Sequence, residues 1–204
     1  MARLDLDVPY HERIAAQARG ARWDPHRRCW YVPENVDPAG LLGWSCASDY
    51  VNARAHHYYL LEGVQPCAGC GGKSRVHGIV LPTGHEVRLQ GEEDLDDGWE
   101  RSDEPSLLAF VTSLAPSVAT RMRQETYCYR ARYTFPVPSY HNHCQWCGAM
   151  FDDYALYATP GYGFDVLSET EAAAIEVTVV HSGFAGAADH FSYGVAFLDA
   201  MRRR

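Results

Sequence analysis

Two cysteine pairs of one design occur in this 204-residue chain, Cys67-Ala-Gly-Cys70-Gly71 and Cys144-Gln-Trp-Cys147-Gly148, with 73 residues between them. Two residues between thiols let one tight turn aim both sulfurs at a single ion, and four such sulfurs close a tetrahedral shell. The glycine after each pair admits the left-handed backbone such a turn needs. A closed shell leaves no open position for substrate. Cys67, Cys70, Cys144 and Cys147 therefore read as ligands of a structural zinc. Four thiolates also suit iron in a rubredoxin-like site; the long insert and the structural role favour zinc. That insert must hold a hairpin and helical segments, and the core must bring the two knuckles together.

Other residues near the knuckles carry weaker chemistry. His141 and His143 flank the second pair and read as supports behind the ligands or as surface residues. Asp152 and Asp153 read as solvated loop acids, and Cys29, Cys46 and Cys128 as buried or half-buried thiols without chemistry. The sequence has no H-E-x-x-H, G-x-S-x-G, P-loop or dinucleotide fingerprint.

Length allows one domain, or one with a small module, and a core that needs no disulfides. The first residues lack an apolar leader and no apolar run is long enough to span a membrane, so cytoplasmic residence is the expectation. Seven cysteines there suit metal ligands and buried thiols better than disulfides. A formal charge of −8 opposes broad, non-specific nucleic-acid binding. Charge is uneven, however. Residues 92–104 are strongly acidic and read as a surface loop, a candidate docking element for a protein partner, whereas the first 33 residues are rich in arginine.

The elements that position these residues follow from pattern. Leu4, Leu6 and Val8 alternate with acids as a half-buried strand. His11 to Arg19 reads as a helix with Ile14, Ala15 and Ala18 inward, closed by Gly20. Two short strands follow, with Trp23 and Trp30 as a cross-strand pair, then a linker rich in proline and glycine. After the first knuckle, residues 76–81 read as a strand with 85–89 pairing back on it. Leu107 to Leu114 falls at helical spacing, and a second helix is expected over 117–124. Residues 127–135 read as a strand with tyrosines on one face and Arg130 and Arg132 on the other. Residues 154–158 read as another strand. Ser168 and Glu171 form a capping box. Val177 to Val180 fits either a strand or a continuation of that helix. The fold class expected is α+β: a small β-α-β-β module over 1–34, then a zinc-ribbon-like domain over 35–204 with two metal knuckles and inserted helices.

The blocks Leu6-Asp7-Val8-Pro9-Tyr10, Gly20-Ala21-Arg22-Trp23-Asp24 and Cys29-Trp30-Tyr31-Val32-Pro33 resemble a small bacterial domain of unknown function. That domain is similar to one fused to plasmid conjugation primases and antirestriction proteins. The likeness departs where Gly20 follows Arg19 with no leucine between. From Cys67 to about Phe164 the chain also resembles an uncharacterised bacterial zinc-ribbon family, without the proline that usually follows the first knuckle cysteine. These likenesses imply bound metal and a context of DNA traffic, and no reaction. The function expected is a non-catalytic accessory factor for nucleic acid or a protein partner. Arg22, Arg27 and Arg28 are its candidate phosphate contacts and Trp23 and Trp30 its candidate stacking residues. The alternative is an enzyme with an unrecognised active site in the C-terminal part, its zinc being structural.

Overall fold

The computed structural model describes all residues except 1–3, 7, 9, 26–28, 38–39, 42–43, 45–50, 89–97, 135–136, 194 and 196. Along the chain run β1 (Leu4–Leu6), α1 (Arg13–Ala18), β2 (Arg22–Asp24), β3 (Cys29–Val32), β4 (Ala53–Ala55), β5 (Tyr58–Pro66) and β6 (Lys73–Leu81). Next come β7 (Glu86–Val87), β8 (Glu100–Arg101), β9 (Ser106–Leu114), α2 (Pro116–Glu125), β10 (Tyr129–Thr134) and β11 (Val137–Asn142). The chain continues through α3 (Asp153–Ala158), α4 (Glu169–Ala172), β12 (Glu176–Val180), β13 (Phe184–Tyr193) and β14 (Arg202–Arg203). The architecture is α+β.

The first three strands form a small antiparallel sheet in the order β1-β3-β2, which gives the expected β-α-β-β unit. Trp23 pairs with Trp30, their ring centroids 5.8 Å apart at 63°. The inward face of α1 differs from the expectation. Ala16 is fully buried while Ile14 is 70% exposed, so the short helix turns an alanine and not its isoleucine onto the sheet. The core of this unit includes Leu41 and Trp44. The Trp44 indole N–H donates to Glu12, whose carboxylate also pairs with Arg130 of β10 at 2.7 Å.

The large sheet runs β14-β12-β5-β6-β9-β13-β4-β7-β8, with β10 and β11 branching from β9. Its centre is β9, and here the expected helix is wrong. Ser106 to Leu114 is a strand buried along nearly its whole length. A strand covered on both faces has a continuous apolar run rather than alternation, and such a run mimics helical spacing. β9 gives one edge to β13 and divides the other between β6 near its start and β11 at Val111. At the division Phe110 holds a left-handed φ of 52°, a strain of about 1–2 kcal/mol for a residue with a side chain.

Two further expectations are corrected. Residues 85–89 do not pair back on β6, because β9 already occupies that edge; β7 joins β4 and β8 instead. Residues 154–158 are helix α3, not a strand. The Asp152 side chain accepts the Tyr154 N–H, and burial of Asp153, Leu156 and Tyr157 follows the helical period. Pro116 opens α2 as its first residue. The capping box holds: Ser168 Oγ accepts the Glu171 N–H at 3.3 Å, and Glu171 accepts the Leu167 N–H at 2.7 Å. Val177 to Val180 is strand. Among the described residues no helix is long and apolar enough to cross a membrane.

Candidate metal centre

The first knuckle is the tip of the β5–β6 hairpin, and the second links β11 to α3. Each closes with the same two backbone bonds. Gly71 N–H donates to Cys67 C=O at 2.7 Å and Cys67 N–H to Gly72 C=O at 3.0 Å. In the second, Gly148 N–H donates to Cys144 C=O at 2.9 Å and Cys144 N–H to Ala149 C=O at 2.7 Å. Gly71 and Gly148 take φ of 72° and 73°, the left-handed turn that their position in each motif anticipates.

The four sulfurs converge. Cys67 Sγ lies 3.7 Å from Cys147 Sγ, Cys70 Sγ lies 3.7 Å from Cys144 Sγ, and all four lie within 4.8 Å of one another. A tetrahedron with metal–sulfur bonds of about 2.3 Å has edges of about 3.8 Å, so the cluster has the dimensions of a zinc-ribbon-like site that can hold a metal ion. Each knuckle gives one buried and one exposed sulfur, Cys67 with Cys70 and Cys144 with Cys147. Electrostatics point the same way. Burial alone raises the Cys144 thiol, but the N–H groups of Cys147 and Trp146 aimed at its sulfur, with the neighbouring thiols, hold it down at about 6. Cys70 receives a lowering bond from the Gly72 N–H, yet the crowding of Cys147 and the other thiols pushes it up to about 12. The cluster holds one thiolate readily and resists the next; a cation removes that conflict.

Side chains remote from the motifs bring the knuckles together. Asn142, fully buried at the end of β11, accepts the His77 N–H at 2.7 Å and donates to the His77 C=O at 2.8 Å. Its amide thus stands in for a strand beside β6, beyond the point where β9 leaves off. Asn52 does the same for Ala188, at the bulge in β13. Ser74 Oγ accepts the Gln145 N–H at 3.0 Å, and the Trp146 indole N–H donates to Lys73 C=O at 2.7 Å. The exposed Trp146 ring lies over Gly72, where an added Cβ would come within 2.9 Å of it. No sequence pattern marks Asn142. Asn142→Ala leaves the His77 N–H buried without its acceptor and should cost about 2–3 kcal/mol in a denaturant melt. A melt matching the wild type would show that the clamp contributes nothing.

Both histidines beside the second knuckle are buried, which excludes the surface reading, and of the two acids Asp152 is exposed as expected while Asp153 is not. His143 is buried and its Nδ1 donates to the backbone carbonyls of Cys128 and His141. His141 is buried and joins Ser139 and Asp153. Asp153 is 2% exposed rather than solvated, because α3 folds it against β9 and β11. Cys128 is buried and Cys29 half-buried, and Cys46 lies outside the described residues.

Of the candidate nucleic-acid residues, Arg22 and Trp23 are exposed, Trp23 by 50%, and Trp30 is half-buried against the small core. Arg27 and Arg28 lie outside the described residues. Sequence reading missed Tyr10, 79% exposed, with the Arg13 guanidinium 3.8 Å from its ring centre. Tyr10, Arg13, Trp23, Trp30 and Arg123 line one groove of about 240 Å³.

Comparison with known proteins bears on this same end of the chain. Residues 3–45 match the family described as Domain of unknown function (DUF5710). A 55-residue stretch, 26% of the chain, is 47% identical to a protein of Escherichia coli described as DNA primase TraC, and spans 5% of that protein. A second protein of the same description and organism is 42% identical over 43 residues, 21% of this chain and 3% of its own. No solved structure matches. The N-terminal unit is thus similar to a small domain carried by far longer primases.

Proposed function

We propose that the four cysteines hold one structural zinc ion and that the protein is an accessory factor binding single-stranded nucleic acid through its N-terminal unit. An all-sulfur tetrahedral shell selects zinc or an iron–sulfur arrangement over hard cations. Elemental analysis of the purified protein should find about one zinc per chain, and iron in its place would overturn that half of the reading.

The observation that carries the nucleic-acid half is the groove of Tyr10, Arg13, Trp23, Trp30 and Arg123, whose first four members belong to the N-terminal unit that is similar to part of a DNA primase. Aromatic rings interleaved with guanidinium groups suit stacked bases and tracked phosphates. The chain as a whole is acidic, so contact must be local. Arg22, exposed on β2, together with Arg27 and Arg28 a few residues on in the sequence, is assigned two or three phosphate contacts. Binding of a labelled single strand, followed by anisotropy, should then show a salt slope of roughly −2. Trp23→Ala should weaken it by a factor of roughly 5–150, corresponding to about 1–3 kcal/mol of stacking. Replacing Arg22, Arg27 and Arg28 together should abolish it while metal content stays unchanged. No binding by the wild type at low salt would end this reading and leave a protein partner in its place.

A further inference from the structure

The metal does not account for the polar chain on the inner side of β11. Ser139 Oγ lies 2.7 Å from His141 Nε2, and His141 Nδ1 lies 3.1 Å from Asp153 Oδ1. The other Asp153 oxygen, Oδ2, accepts the Phe110 N–H at 3.0 Å. The carboxylate accepts on both oxygens, so Nδ1 carries the imidazole proton and Nε2 is left bare to receive the serine hydroxyl proton. The order of atoms, hydroxyl to Nε2 and Nδ1 to carboxylate, is that of an activated serine nucleophile with its base and the group that orients the base. Ser139, His141 and Asp153 are 5%, 5% and 2% exposed, so the hydrogen bonds between them are shielded from bulk solvent. The left-handed Phe110 turns its N–H onto the carboxylate, and backbone strain of that kind gathers where side chains must be held in one place.

We infer that Ser139, His141 and Asp153 form an acyl-transfer site acting on small carboxylic esters, separate from the nucleic-acid groove and from the metal. Ser139 is the nucleophile and His141 the general base; Asp153 is a positioning residue. In the first half-reaction, Ser139 Oγ bonds to the ester carbon as its proton passes to His141 Nε2. The bond from that carbon to the alcohol oxygen breaks, and the alcohol leaves with the proton from Nε2. In the second, water gives a proton to Nε2 and its oxygen to the acyl carbon, and Ser139 Oγ departs and recovers that proton. The products are an alcohol and a carboxylic acid. The low exposure of Ser139 restricts the acyl group to a small one.

The test is covalent labelling of the full-length, metal-loaded chain with a small alkyl fluorophosphonate, read by intact mass and peptide mapping. The expected result is one adduct per chain, on Ser139, absent from Ser139→Ala and formed at least 100-fold more slowly in His141→Gln. Asp153→Asn should slow labelling at least tenfold, and Asp153→Glu should restore part of the rate although both substitutions lower the melting temperature. A merely structural carboxylate would not separate the two in this way. No adduct on folded wild-type protein, or an adduct that persists in Ser139→Ala, overturns the proposal and leaves the three residues as a buried tie between α3 and β11.

Discussion

Removing the proposed zinc with a strong chelator should lower the unfolding free energy by on the order of 5 kcal/mol. Zinc-finger peptides gain about 10–16 kcal/mol because they have no other core. Here the sheet has an apolar core of its own away from the sulfurs, so the loss is smaller. It is still large, because the ion joins the β5–β6 hairpin to the segment between β11 and α3 through four sulfurs that lie within 4.8 Å of one another. Cys144→Ser should reproduce most of the effect, since Cys144 is buried and receives the N–H groups of its own turn. Paired urea melts of loaded and stripped protein measure it. Coincident curves would show that the cluster is only a set of neighbouring thiols.

Gly163→Ala should cost more than about 4 kcal/mol, in the range reserved for backbone and core conflicts. Gly163 has a φ of 63°, and an added Cβ would stand 2.1 Å from the Leu156 carbonyl oxygen and 2.6 Å from Leu156 Cα. Backbone cannot swing aside as a side chain can. The loop would have to leave α3, losing the 2.8 Å bond from Phe164 N–H to Leu156 C=O and the stacking of Phe164 on Tyr157 at 5.7 Å. Gly161→Ala is the control. Its φ is also positive, at 73°, but the nearest contact is a leucine methyl at 3.5 Å, so only the conformational cost of about 1 kcal/mol applies. Similar denaturation midpoints for the two variants would mean that the loop is free to shift.

The knuckles were legible because their chemistry is local: spacing sets the turn, and the following glycine supplies the positive φ. The N-terminal unit was legible for a like reason, its strands and helix being separated by proline, glycine and Asp24-Pro25. What failed was whatever depends on neighbours distant in sequence. Ser106 to Leu114 carries apolar residues on both faces because sheet and helices cover it, and its own residues do not say which period to read. Tyr154 to Ala158 is too short for its pattern to outweigh its two tyrosines, and the deciding feature is the Asp152 cap. Asn52 and Asn142 complete backbone pairing with their side chains, a role that exists only once the sheet does. Ser139 and His141 share a strand face two residues apart, but Asp153 joins them only through the docking of α3.

The strand order bears on how the chain reaches its native state. The late strands β12 and β13 are interior members of the sheet: β12 lies between β14 and β5, and β13 lies between β9 and β4. During synthesis, β5 and β9 leave the ribosome long before the partners that will cover their edges. Pairing across such distances is slow, and the uncovered apolar edges meanwhile invite contact with other chains. The large sheet is therefore complete only once residues 176–193 are made, and until then its partly paired strands are the exposed, aggregation-prone part of the chain.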